Sequence, residues 1–261
     1  MTSHAWQTGR VEIAGPPMVP PPVPSAVKAL ASDDRIRAVW LNGLGGLTFE
    51  FTAPDATRRF AKWAPAGSGL DLDAERVRIE WAASFTAVPR VLAAGSDADG
   101  QWMLTAGLPG DTAVGASFQA SPERRLLAVR GIARGLRMLH DTLPVDACPF
   151  SWSVTHRLAE ARARGLTPPT TLDTPPAVDR LVVCHGDACA PNTLLAADGT
   201  VTGHVDLGSL GLADRWADIA VSAWSTEWNY GPGYESAFLE AYGIAPDTER
   251  LAYYRALWDA T

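Results

Sequence analysis

Between Ala38 and Pro54 the chain reads AVWLNGLGGLTFEFTAP, two runs of apolar, aromatic and β-branched residues parted by a bend holding Gly43, Gly45 and Gly46. Such runs on either side of a glycine-rich bend predict a β-hairpin. A third strand is expected in RRFAKWAP, which carries Lys62. In DLDAERVRIEWAA, residues 71–83, Val77 and Trp81 stand four apart and Glu75 falls in an early turn, which is the period of a helix. VPRVLAAG and QWMLTAG follow as strands, parted by SDADG, and a short helix near Ser25–Ala31 precedes the hairpin. Strands, a helix and more strands make a small α+β unit that closes near Leu108.

Helical periodicity dominates the rest. Ser121, Pro122 and Glu123 form a helix start, and Leu126, Val129, Ala133, Leu136 and Leu139 then make one apolar stripe with Arg130, Arg134 and Arg137 off it. His140, at the end of that stripe, reads as a core or capping histidine. Residues 165–180 hold four prolines and read as a loop. LVVC, 181–184, is a short buried strand, and TLLAADGTVTGHVD is a hairpin turning on Asp198 and Gly199. Three helices are expected at about 214–225, 234–242 and 248–258, with Gly243 as a C-cap. At the other end GPPMVPPPVP, residues 15–24, admits neither a regular helix nor a central strand. The expected organisation is therefore a proline-rich lead-in over 1–24, a strand-rich lobe over 25–105, a linker over 106–110 and a mainly helical lobe over 111–261.

Charge and composition narrow the partners. The 22 Lys and Arg against 29 Asp and Glu leave a formal net charge of −7, which argues against binding nucleic acid. No apolar run approaches the ~20 residues that span a bilayer, and the first twenty residues lack the apolar stretch of a secretion signal. Three cysteines, Cys148, Cys184 and Cys189, frame no disulfide scaffold. A cytoplasmic, soluble monomer or weak dimer, without a membrane partner, is expected.

The chemistry concentrates in HGDACAPN, residues 185–192, which leaves the strand LVVC directly. An acceptor hydroxyl needs a carboxylate to orient it and take its proton, and a magnesium ion on nucleotide phosphates needs hard oxygen ligands. Asp187, Asn192 and, after the hairpin, Asp206 supply that set in the order kinases use. Lys62 on its strand and Glu75 thirteen residues on would form the ion pair that kinases aim at the α- and β-phosphates, with Glu80 as a competitor. Plainer readings stand beside these: Asp187 as a turn residue, Asp206 as a cap, Glu75 as first-turn helix charge. Cys184, His185 and Cys189 invite a zinc reading, but no second ligand pair accompanies them. Asp214 and Asp218, four apart, read as a cap and a tertiary salt-bridge partner.

With VVCHGDACAPNTLL and VTGHVDLGSLGLADRWADIA, supported by VPRVL, LRMLHDTLPVDACP and YGIAPDTERLAYYRAL, the sequence resembles the aminoglycoside phosphotransferase family, in the branch that phosphorylates the 3′-hydroxyl. The resemblance runs from about Val39 to Tyr254 and implies a two-lobed, protein-kinase-like α+β fold. It makes Asp187 the catalytic aspartate of an HGDxxxxN loop, Asn192 and Asp206 the magnesium ligands, and His185 a structural member of the loop. Gly43, Gly45 and Gly46 would lie over the nucleotide, and TAGLPG, with Thr105 and Gly107, would meet the adenine.

On the acceptor side the chain departs from the family. Ser209 and Trp224 stand where arginines are expected, and the loop between Arg164 and Leu181 is short. The end, LWDAT, leaves Asp259 and the terminal carboxylate of Thr261 as partners for substrate amines. Trp224, Trp228 and Tyr230 cluster near the expected cleft, where they can either stack on a sugar or simply pack as aromatic core. The implied activity is an O-phosphotransferase using ATP or GTP and Mg2+, acting on an aminoglycoside or similar amino sugar. The alternatives are a kinase of the same fold with another small alcohol as acceptor, and a nucleotide-binding regulatory protein without transfer.

Overall fold

Val27 and Ala31, one helical turn apart in the chain's first helix, and Leu47, Phe49 and Phe51, alternating along a strand, are all buried and pack into one cluster with Ala61 and Leu104. This helix-on-sheet core organises the first of two units in the computed structural model, which describes residues 15–261. The expected lead-in over 1–24 therefore lies partly outside the described residues. Gly15 exchanges two backbone hydrogen bonds with Leu41, at 2.9 and 2.8 Å, and residues 16–24 form no regular element.

The first unit comprises the chain up to Arg76 together with Arg90–Gly107. Its elements are α1 (Ser25–Ala31), β1 (Arg35–Leu41), β2 (Leu47–Thr52), β3 (Arg58–Pro65), the start of α2 (Leu72–Ala82), β4 (Val91–Ser96) and β5 (Gly100–Ala106). The strands form one antiparallel sheet in the order β1-β2-β3-β5-β4. β4 begins after Pro89, later than the apolar run suggested, because proline has no N–H for the ladder. Burying a phenylalanine such as Phe49 contributes about 1.5–3 kcal/mol.

The second unit takes Val77–Pro89 and Leu108–Thr261. It contains β6 (Asp111–Thr112), α3 (Ala116–Gln119), α4 (Pro122–Thr142), α5 (Val154–Ala163), β7 (Leu181–Cys184), β8 (Thr193–Leu195), β9 (Val201–His204), β10 (Gly211–Asp214), α6 (Trp216–Tyr230), α7 (Glu235–Tyr242) and α8 (Thr248–Ala260). α4 starts as expected, with Ser121 Oγ accepting from the Arg124 amide and Pro122 at the first position. Of its expected stripe, Val129, Ala133, Leu136 and Leu139 are buried and Leu126 is half-buried, while Ile132 joins the buried face.

Two small antiparallel sheets, β10-β7 and β6-β8-β9, accompany the helices. The helix expected from residue 214 starts instead at Trp216, because Gly211–Asp214 is a strand paired with β7, and it runs on to Tyr230. With eight helices and two-strand to five-strand sheets among the described residues, the chain is of the α+β class.

Candidate active site

In the second unit β7 is a four-residue strand whose last three side chains are buried, and it releases the chain at His185. Gly186 follows with φ +85°, and a Cβ there would stand 2.1 Å from the Ser209 carbonyl oxygen, so only glycine fits. Asp218 of α6 fastens this turn: its Oδ2 accepts from the His185 amide at 2.6 Å and its Oδ1 from the Gly186 amide at 3.0 Å. His140 Nε2 lies 3.0 Å from Asp218 Oδ2, and Tyr242 Oη lies 2.8 Å from His140 Nδ1. Burial alone would push the Asp218 carboxyl up, but the His140 hydrogen bond, electrostatic interaction with the neighbouring imidazoles and the Gly186 amide hold it below the usual value.

His185 has its tautomer assigned by its partners. Its Nδ1 accepts from the Asp187 amide at 3.2 Å, so Nε2 carries the proton and donates to the Val205 carbonyl at 3.0 Å. The ring thus ties Asp187 to the exit of β9. His204 packs edge-on against it, with ring centroids 5.8 Å apart.

Asp187 Oδ1 is buried and has no hydrogen-bond partner in the protein. Burial, then the nearby Asp206 charge, raise the Asp187 carboxyl above its ordinary value. Asn192 closes the 3-10 turn Ala190–Asn192 and donates from Nδ2 to the Asp187 carbonyl at 2.9 Å. That commits its nitrogen and leaves the amide oxygen as the atom for a cation. The Val205 amide donates to the Asn192 carbonyl at 3.0 Å, bringing the next residue, Asp206, alongside. Asp206 holds a left-handed backbone, φ +65°, uncommon outside glycine and enriched at functional positions. An amide oxygen and a carboxylate, with a second carboxylate nearby, fit a hard cation such as Mg2+ better than a thiolate-seeking one.

A separate group, His140, Cys184 and Asp218, brings its potential ligand atoms within 4.8 Å of one another. Two of its members are spent on the hydrogen bonds just described, and the Cys184 thiol donates to the Asp214 carbonyl at 3.5 Å. Cys184, His185 and Cys189 do not assemble into a zinc site.

In the first unit Lys62 Nζ lies 2.6 Å from Glu75 Oε1, the pairing expected from the sequence. Lys62 sits on β3 opposite Met103 of β5, while Glu75 is 5% exposed on α2. The bend between β1 and β2 is organised by Asn42, whose Oδ1 accepts from the amides of Leu44 and Gly46 at 3.0 and 2.8 Å. Gly43 lies in this turn, and Gly45 takes φ +83°. Thr105 is the penultimate residue of β5 and donates from its hydroxyl to the Phe60 carbonyl at 3.4 Å. The Gly107 amide donates to the Arg58 carbonyl at 2.8 Å.

The acceptor-side candidates fall into two places. Asp259 and Thr261 line a cavity of about 520 Å³ with Leu166 and Pro169. Thr261 Oγ1 also accepts from Arg157 Nη2 at 2.8 Å, and Arg164 donates to the Thr261 main-chain oxygen. Trp224 does not line that cavity; it pairs with Trp228, ring centroids 4.6 Å apart. Tyr230 turns inward, its hydroxyl donating to the Ala113 carbonyl at 2.7 Å.

Sequence reasoning passed over Ser225, whose Oγ accepts from the Ala190 amide at 2.9 Å. Asp218 is the tertiary partner that the sequence suggested, paired with His140, and its grip on the His185 and Gly186 amides adds to that reading. A readable signal was present: a lone carboxylate inside the apolar run WADIAVSAW needs partners if that helix is buried.

The profile of the phosphotransferase enzyme family matches residues 35–254. An aminoglycoside 3′-phosphotransferase of Streptomyces fradiae is 38% identical over 233 residues, 78% of this chain and 85% of that protein. A streptomycin 3″-kinase of Streptomyces griseus is 37% identical over 237 residues, again 78% and 85%. Among solved structures, an aminoglycoside 3′-phosphotransferase of type VIII superimposes with TM-score 0.74 at 29% identity, covering 90% of this chain and 98% of that one. A Streptomyces rimosus aminoglycoside phosphotransferase in complex with ADP and streptomycin gives TM-score 0.64 at 32% identity, with 82% and 90% covered. The two-lobed, protein-kinase-like fold implied by the resemblance is the fold observed.

Proposed function

This chain belongs to the phosphotransferase enzyme family, alongside the aminoglycoside 3′-phosphotransferases, and from that membership we propose that it moves a phosphoryl group from ATP to a hydroxyl of an aminoglycoside, with Mg2+ as the metal. It is a phosphotransferase with an alcohol group as acceptor.

The observation that carries the mechanism is the buried, unpartnered Oδ1 of Asp187 in a turn clamped by Asp218. An acceptor hydroxyl placed there donates to that oxygen. Its proton passes to Asp187 as its oxygen attacks the γ-phosphorus, and the bond to the ADP oxygen breaks. A raised carboxyl is the better proton acceptor.

Asn192, through its amide oxygen, and Asp206 would hold the magnesium, which when bound offsets charge on the β- and γ-phosphates. Lys62, steadied by Glu75, donates to the α- and β-phosphates, and the bend of Gly43, Gly45 and Gly46, which carries no bulky side chain at those positions, lies over them. Main-chain carbonyls from Thr105 to Gly107 border the base, since the Gly107 amide is already given to Arg58. No helix among the described residues is long and apolar enough to cross a membrane, and all three cysteines are free. Both accord with a cytoplasmic enzyme drawing on cellular ATP.

A second reading keeps the chemistry and changes the acceptor to a less cationic alcohol. It is favoured by Ser209 and Trp224 in place of arginines, and by the engagement of Thr261 with Arg157 and Arg164. One experiment separates the two: ADP release from ATP or GTP, over a panel of aminoglycosides and small alcohols, with mass detection of the product. Aminoglycosides gaining one phosphoryl group are expected; ADP release with small alcohols alone would favour the second reading, and release with no acceptor would overturn both.

A further inference from the structure

α6 gives two of its faces different tasks. At roughly 100° per residue, Asp218, Ser222, Ser225 and Asn229 fall on one stripe. That stripe grips the loop carrying Asp187 at both ends: Asp218 takes the His185 and Gly186 amides, and Ser225 Oγ takes the Ala190 amide at 2.9 Å. Asn229 Nδ2 braces Ser225, donating to its carbonyl at 2.8 Å and its hydroxyl at 3.2 Å.

Trp224 and Trp228 lie about a quarter turn round the helix from this stripe. Their ring centroids are 4.6 Å apart and their planes meet at 58°. Trp228 is 50% exposed and Trp224 is partly exposed. The pair is pinned: the Arg255 guanidinium stands 5.7 Å from the Trp224 ring centroid, donates from Nε to the Ala220 carbonyl at 3.4 Å, and pairs through Nη2 with Glu235. A lone exposed indole needs no explanation, but two in contact, fixed from α7 and α8 on the helix whose other face grips the loop that holds Asp187, form a preorganised surface.

We propose that Trp224 and Trp228 form a stacking platform for one sugar ring of the acceptor, and so determine specificity in the phosphotransfer reaction. This rests on the reading of the chain as an aminoglycoside phosphotransferase. The C–H face of a sugar is apolar and lies flat on an indole, while its hydroxyls stay at the rim in water. Arg255 already occupies the cation position on Trp224, so the ring received there is bound by its C–H face, and its ammonium groups point away. The helix that bears the platform also holds the Asp187 loop through Asp218 and Ser225, so a ring seated on the indoles is tied to that loop through one rigid element.

The test uses the full chain with Trp228→Ala and Trp228→Phe, changes at an exposed position. Steady-state kinetics with kanamycin and streptomycin are joined by saturation-transfer NMR from the protein's aromatic protons to the sugar C–H protons. Trp228→Ala is expected to raise the acceptor KM about tenfold with kcat and the ATP KM little changed, and Trp228→Phe to recover most of the loss. Saturation transfer to the ring protons should fall in Trp228→Ala. An acceptor KM that does not move would overturn the platform while leaving phosphotransfer intact. If the parent phosphorylates neither compound, the aminoglycoside reading falls and NMR decides alone: transfer lost in Trp228→Ala sustains the platform, and transfer unchanged or absent from the start overturns it.

Discussion

Asp218 accepts the backbone amide of His185 at 2.6 Å, across 33 residues of chain, and this contact decides the direction in which β7 releases the polypeptide. The second oxygen takes the next amide, from Gly186 at 3.0 Å, so one buried carboxylate satisfies two consecutive donors that no strand partner reaches.

Asp218→Asn should therefore destabilise the protein by about 1.5–3 kcal/mol at pH 7, since the amide group must turn an N–H toward one of those donors. Because the folded carboxyl lies below its ordinary value, the contribution is complete above about pH 4 and is lost as pH falls through the folded value. Urea unfolding at pH 7 and pH 3 should show the gap between parent and variant shrinking in acid; a constant gap would mean that Asp218 acts through shape alone.

Asp187→Ala is expected to lower kcat about a thousandfold or more, the loss of a positioned base and of the acceptor's anchor together. Nucleotide affinity, followed by titration calorimetry with ATP and magnesium, should stay within about threefold. Turnover within tenfold of the parent would remove Asp187 from the reaction.

Asn192→Ala and Asp206→Asn should each raise the magnesium concentration needed for half-maximal nucleotide binding, with the deficit largest at low magnesium and smallest at high. An unchanged magnesium titration in both variants would place the metal on other residues.

Lys62→Met should raise the ATP KM about tenfold while the acceptor KM stays put. It also leaves the 5% exposed Glu75 with one counter-charge fewer, for a stability loss of about 1.5–3 kcal/mol. The double variant Lys62→Met/Glu75→Leu should recover part of that stability and none of the KM. A double variant as unstable as the sum of its singles would show that the two side chains are not coupled.

His204 supplies the clearest pH dependence. Burial, then the neighbouring His185, lower its pKa from 6.5 to about 3. The unfolded chain therefore takes up a proton that the folded one refuses. The contribution to stability is complete above about pH 6.5 and falls by up to about 1.4 kcal/mol per pH unit below it. His204→Gln should flatten that part of the curve when urea midpoints are compared from pH 7 to pH 4. Parallel curves for parent and variant would show another group to be responsible.

Much of this molecule could be read before it was seen, because its signals are local. The apolar run LVVC followed by HGDACAPN, the Asp198–Gly199 turn, the Ser121 cap and the bend at Asn42–Gly46 each declare themselves within a dozen residues. What escaped is non-local. GLAD has no alternation of its own and becomes a strand only because β7, thirty residues upstream, offers Cys184 opposite Gly211. Ser225 looks like an ordinary helix residue until the loop it holds is folded against it.

Gly186 packs against the carbonyl oxygen of Ser209, an atom that every amino acid possesses. The loop's support at that point is thus indifferent to the side chain at 209, which is partly exposed. A change of side chain at 209 therefore leaves in place the carbonyl against which Gly186 packs, and with it the turn that presents Asp187.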